Sequence, residues 1–153
     1  MAIIFWGTHV FPMNRGYHGS RVRCSHCNRV YSPAYVSNSY WFHIWFIPLI
    51  PYKTTYFKYC PICGYGISLN GKEGRAELKD NPKVTDQRLE PYVNHIYANK
   101  PKGVFKIDNS YEFHIKDLNT GEDICISRSI TKGDVDKIKR GRAYNKLPII
   151  KIK

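Results

Sequence analysis

Apolar and polar positions alternate most cleanly near the middle of the second half. Tyr111, Phe113 and Ile115 share one parity, and Glu112, His114 and Lys116 the other. That period of two predicts a strand with one buried face. Asn119-Thr-Gly-Glu122 supplies a turn, and Ile124 and Ile126 mark the returning strand. A denser run lies earlier, Tyr40-Trp-Phe-His-Ile-Trp-Phe46, followed by Pro48 and Pro51. It predicts a strand buried on most sides, then a turn fixed by the prolines, with Thr54 to Lys58 as the return strand. Glu90 to Ala98 reads as a short helix: Pro91 suits the first turn, and Tyr92, Val93, Ile96 and Tyr97 make an apolar face. His95 then falls on the polar side. Thr131-Lys-Gly-Asp134 predicts a capping box with Asp in place of Glu, opening a helix with Val135 and Ile138 on its apolar face. Gly141 is its expected stop, and Leu147 to Lys153 alternates like an edge strand guarded by lysines.

Composition adds boundaries. The 153 residues are enough for one domain, or one small domain and an annex. With 42% hydrophobic and 14% aromatic residues the chain can build a core, which excludes compositional disorder. Met1 to Gly7 carries no basic leader, and no apolar run is long enough for a spanning helix, so a cytoplasmic protein is expected. Residues 1 to 72 contain no Asp or Glu, whereas 16 of the 22 aromatics lie in residues 1 to 70. The polar stretch Asn70 to Pro82, with two glycines, then reads as a linker or exposed loop. The expected organisation is an N-terminal domain over 1–70, a linker over 71–88 and a small basic annex over 89–153.

The chemistry is concentrated in the cysteines. Four of the five form two like-spaced pairs, Cys24-Ser-His-Cys27 and Cys60-Pro-Ile-Cys63. Two residues between cysteines let one tight turn aim both sulfurs at a point, and two such turns build a sulfur tetrahedron. Zinc suits that donor set, so Cys24, Cys27, Cys60 and Cys63 are the expected ligands of one structural Zn2+. Asn28 and Gly64 follow the pairs, where the turn needs residues tolerant of positive φ. The alternative, four buried or disulfide-linked cysteines, suits a compartment that nothing else in the sequence indicates, and an odd count fits it poorly. The interval between the pairs is longer than in a compact finger, so it must hold an extended hairpin. His26, inside the first pair, is expected to face solvent. The fold class is therefore small α+β: an N-terminal all-β zinc ribbon with a C-terminal ββαβ annex.

The Trp-Phe…Phe-Ile-Pro-Leu-Ile-Pro-Tyr stretch, followed by an aromatic strand and Cys-Pro-Ile-Cys-Gly, resembles small zinc-ribbon proteins of bacteria and fungi. The resemblance covers about residues 1 to 70. It implies the same four zinc ligands and no catalytic residue. A weaker resemblance is to the lipopolysaccharide-induced TNF-factor-type domain, which also sets an apolar segment between two C-x-x-C halves. It implies membrane contact through residues 41 to 51, with Lys53 and Lys58 facing anionic lipid. Against it stand the two prolines and the brevity of the run.

The net charge of +12 makes an acidic partner plausible. A tetrathiolate zinc site carries about two negative charges, which Arg21, Arg23, Arg29 and Lys58 are placed in sequence to offset. After Asp136 the chain holds seven basic residues and no acid. Lys137, Lys139, Arg140, Arg142 and Lys146, with Tyr144 among them, form the expected phosphate-contacting surface. The competing reading is a solvated helix face. Cys125 falls on the face opposite Ile124 and Ile126, from where it can approach His114, but no Asp or Asn is evidently placed to orient that histidine, so a nucleophilic pair is not expected. The sequence thus predicts a non-enzymatic zinc ribbon that binds nucleic acid, RNA before DNA, within a ribonucleoprotein. A protein-interaction adaptor and a peripheral membrane protein are the alternatives, and no small-molecule substrate is expected.

Overall fold

The computed structural model describes residues 6–96 and 110–139. They form two compact units, described separately. The first holds β1 (Trp6–His18), β2 (Val22–Arg23), β3 (Val30–Tyr31), β4 (Ala34–Ile44), β5 (Ile47–Tyr59), β6 (Gly66–Asn70), α1 (Gly71–Asp80) and β7 (Lys83–Val84). The second holds β8 (Leu89–Ile96), β9 (Ser110–Asp117), β10 (Asp123–Ile130) and α2 (Lys132–Lys139). The mixture of strands and short helices is the expected α+β class.

The first unit is a five-stranded antiparallel sheet in the order β6-β5-β4-β1-β7, with a two-stranded ribbon of β2 and β3. Its long hairpin is β4–β5, the extended element that the interval between the cysteine pairs demanded. Alternation along β4 sorts the core. Ala34 and Val36 pack with Tyr59, Tyr17 and Phe57 on one face. Tyr35 and Ser37 point the other way and are also fully buried, with Arg15 Nε donating to Ser37 Oγ at 2.8 Å.

The stretch expected as a linker, 71–88, holds α1 and β7. Asn70 is a helix N-cap: its side chain accepts from the amides of Lys72 and Glu73, while the Glu73 carboxylate accepts from the Asn70 amide. The two glycines that suggested a loop serve close packing. A Cβ on Gly74 would fall 2.2 Å from the Tyr56 ring, so only glycine lets the helix lie against β5. Glu77, one turn on, accepts from Tyr35 Oη at 2.7 Å and Lys58 Nζ at 2.9 Å, tying the helix to β4 and β5.

The second unit is an antiparallel sheet in the order β10-β9-β8. The expected hairpin of β9 and β10 is present, closed by Asp117 to Glu122 with Gly121 at φ 76°. Glu90 to Ala98, expected as a helix, is strand β8 as far as the structure describes it. Pro91 sits on an edge strand, where a missing amide donor does no harm. The register Val93↔Phe113 and Tyr92↔His114 sorts its residues by alternation and not by helical spacing. Phe113, Ile115, Ile124, Ile130 and Val135 are buried, the last from α2. The predicted capping box opens α2: the Asp134 amide donates to Thr131 Oγ1 at 3.2 Å, and Asp134 Oδ2 accepts from the Thr131 amide at 3.1 Å. The expected stop at Gly141 and the strand from Leu147 lie outside the described residues.

The candidate metal centre and the exposed hairpin

Each cysteine pair occupies the turn of a hairpin. Cys24 to Asn28 connects β2 to β3, and Cys60 to Gly64 connects β5 to β6. The two turns are built alike. The Cys24 amide donates to Arg29 O at 2.8 Å, and the Cys60 amide donates to Tyr65 O at 2.8 Å. Asn28 and Gly64 lie at φ 60° and φ 72°, the left-handed conformation that their residue types admit at low cost. The His26 amide lies 3.4 Å from Cys24 Sγ, an N–H···S contact that stabilises a thiolate. His26 itself is exposed and stacks on Tyr65 at 5.4 Å, outside the sulfur cluster, as expected.

The four sulfurs of Cys24, Cys27, Cys60 and Cys63 lie within 4.8 Å of one another. Cys27 Sγ and Cys60 Sγ are 3.7 Å apart. Two sulfurs on a tetrahedral zinc at about 2.3 Å stand about 3.8 Å apart, so the spacing fits one ion and is far too long for a disulfide. The donor set is closed: four thiolates leave no position for water or substrate, so the ion holds the fold and supplies no chemistry. Of the cations expected to offset the thiolates, Arg23 clasps the first turn, donating to Asn28 O at 3.0 Å and Asn28 Oδ1 at 3.2 Å. Lys58 does not serve this role, because its ammonium is committed to Glu77.

Comparison with known protein families matches residues 22–117 to the zinc-ribbon family. The chain belongs to that family. The match begins at β2 and runs to the end of β9, well past the 1–70 range of the resemblance read from the sequence. Comparisons with curated proteins and with solved structures gave no match.

The segment between the cysteine pairs departs from expectation. The turn of the long hairpin is Trp45-Phe46, and the prolines lie within β5. Each proline coincides with a register shift, Trp41↔Pro51 and His43↔Pro48. Among the described residues, β5 has no partner on its far side beyond Thr55 towards the turn, so the prolines interrupt no ladder there. The run is also not buried. Trp45 is 55% exposed, Phe46 82%, Ile47 61% and Ile50 63%. Trp45 and Phe46 have φ 52° and 64°, the paired left-handed conformation of a tight hairpin turn. That turn favours Asn-Gly; for bulky aromatics it costs about 1–2 kcal/mol per residue. Phe46 stacks on His43 at 6.2 Å.

Of the basic residues expected to meet phosphate, Lys137 and Lys139 fall in the last turns of α2. Arg140, Arg142, Tyr144 and Lys146 lie outside the described residues. Cys125 and His114 are direct cross-strand partners, and the histidine does have carboxylates to orient it. Asp123 Oδ1 lies 3.1 Å from His114 Nδ1, and Glu112 Oε2 lies 3.0 Å from Nε2. Sequence reading missed both because alternation gives the face of each residue but not the cross-strand register. Asp123 reaches His114 diagonally, and Glu112 along the same strand face. Among the described residues no helix is long and apolar enough to cross a membrane.

Proposed function

We propose that this chain is a non-enzymatic binding protein whose zinc site holds a ribbon, and whose ligand is single-stranded nucleic acid, RNA before DNA. The observation that carries this reading is the Trp45-Phe46 turn. Two aromatic residues occupy backbone positions that disfavour them, and their rings stand in solvent. A protein under selection for stability alone would place Asn-Gly there. Strain held at an exposed site marks a place where the side chain itself is used.

Exposed rings on a segment with no acid nearby in sequence suit single strands. Bases stack on aromatics, and phosphates are neutralised by Lys and Arg. Trp45, Phe46 and Tyr52 supply the rings and Lys53 an adjacent cation, within the acid-free residues 1 to 72. Lys137, Lys139, Arg140, Arg142 and Lys146 supply further charges in sequence, and Tyr144 a further ring. A ribonucleoprotein is the setting in which such a module would act.

A labelled single-stranded RNA titrated into the protein at two salt concentrations tests this. We expect binding that weakens with salt, and a loss of about 10-fold or more in the Trp45→Asn/Phe46→Gly variant, since base stacking is worth about 1–3 kcal/mol per base. No binding at low salt overturns it.

A second reading has its own support. Ile47, Leu49 and Ile50 are exposed beside the rings, and bases do not need them. Aromatic and aliphatic side chains on a hairpin tip, with Lys53 further along the same strand, also suit an anionic lipid surface. The prolines no longer weigh against it, because the strand is not buried. Flotation with phosphatidylserine vesicles, abolished by the same two substitutions, would favour lipid over nucleic acid.

A further inference from the structure

On one face of β8, β9 and β10, a phenol, an imidazole, a thiol and two carboxylates converge. Tyr92, His114 and Cys125 lie side by side in register across the three strands. Glu112 adjoins His114 along β9, and Asp123 adjoins Cys125 along β10. One donor atom each from Glu112, His114 and Cys125 lies within 4.8 Å of the other two. The Tyr92 ring stacks on the His114 imidazole at 5.1 Å. Its hydroxyl donates to Asp123 Oδ2.

We propose that Glu112, His114 and Cys125 form a second metal site, for a divalent cation of borderline softness such as Zn2+, with Asp123 as the residue that positions His114. The donors are one carboxylate oxygen, one imidazole nitrogen and one thiolate, each an ordinary zinc ligand. Carboxylate oxygens face both ring nitrogens of His114, Glu112 at 3.0 Å from Nε2 and Asp123 at 3.1 Å from Nδ1; a neutral imidazole can donate to one of them only, so the other contact calls for a second proton or a bound cation. A proton on the imidazole satisfies the two carboxylates but leaves Cys125 with no part in the cluster. A cation bound to Nε2, the carboxylate and the thiolate engages all three.

The groups behind the histidine fit the same assignment. When Nε2 binds metal, Nδ1 carries the proton and donates it to a carboxylate, which fixes the ring and raises its basicity. Asp123 is in that place at 3.1 Å from Nδ1, and Tyr92 holds Asp123 in turn. Binding releases the thiol proton of Cys125 to solvent.

This site differs from the four-cysteine cluster in kind. Three protein ligands leave a fourth position for water, and Cys125 is exposed, so exchange with solvent is open. It also stands apart from the nucleic-acid reading, since none of its residues belongs to the hairpin tip or the basic tail.

The test counts metal in the full chain. Protein equilibrated with excess ZnCl2 and then desalted should hold about two zinc ions per chain, and Cys125→Ser and His114→Ala about one each. Circular dichroism should be unchanged in Cys125→Ser, whose side chain is exposed. Asp123→Asn should bind the second zinc about 10- to 100-fold more weakly while leaving the first intact. With Co2+ as the probe, the second equivalent should add a sulfur-to-cobalt charge-transfer band that Cys125→Ser removes. One zinc per chain in the native protein under zinc excess overturns the proposal. So does retention of about two by Cys125→Ser.

Discussion

Three side chains meet at Glu77, and their protonation is coupled to folding. The hydrogen bond from Lys58 holds the Glu77 carboxyl below its ordinary value, and the same bond raises Lys58. Burial, and then the Glu77 carboxylate, push Tyr35 up to about 12. A carboxyl with a depressed folded pKa stabilises the fold above its unfolded pKa, and the gain disappears as pH falls through the folded value. Lys58 and Glu77 are each about a third exposed, so solvent screens much of the attraction. We expect Glu77→Gln to cost about 1 kcal/mol at neutral pH by chemical denaturation, with the gap to the native protein closing as pH drops below the ordinary carboxylate range. An unchanged gap at acid pH would contradict this. At this scale the sequence was informative where local geometry decides. Asn28, Gly64 and the Thr131 capping box were legible because a turn or a helix start constrains one residue type. Glu77 was not, because its partners lie 19 and 42 positions away.

Elements show where residue pattern competes with packing. Gly74 lies in the middle of α1, where alanine would ordinarily favour the helix by about 1 kcal/mol. Its Cβ would overlap the Tyr56 ring, and overpacking costs about 1–3 kcal/mol. Gly74→Ala should therefore lower the thermal midpoint; a rise would show that the helix is not packed against β5 as described. The tip of the β4–β5 hairpin predicts the opposite sign. Trp45→Asn/Phe46→Gly relieves two left-handed aromatics and should stabilise the protein by about 1–2 kcal/mol while weakening ligand binding. Loss of stability in that variant would mean the rings are packing residues. Two of the elements misread from sequence share a cause. Tyr40 to Pro51 and Glu90 to Ala98 are short apolar runs with proline, and periodicity cannot separate helix, buried strand and exposed edge over such lengths. Which of these forms depends on neighbours: β5 runs past the end of β6, and β8 pairs with β9.

For the whole molecule, the charge and the metal divide the work. The acid-free first 72 residues supply the ribbon and the strained tip. The zinc ligands were legible in full, since paired C-x-x-C turns fix their own geometry. The extent of the fold was not. The polar stretch after Asn70 disguised the helix α1, which packs on β5. Metal removal follows from the same architecture. Binding free energy at a structural zinc is also folding free energy, so a chelator should abolish the cooperative thermal transition of the ribbon. Cys27→Ser and Cys60→Ser should each do the same without a chelator.

The central claim is that four cysteines from two hairpin turns close around one zinc ion. Zinc K-edge X-ray absorption on the Cys125→Ser variant loaded with about one zinc tests it most directly, because that substitution takes the exposed thiol out of the signal. The predicted first shell is about four sulfurs at about 2.3 Å with no nitrogen or oxygen. A mixed shell with nitrogen or oxygen at about 2.0–2.1 Å, or a variant that retains no zinc, would contradict it.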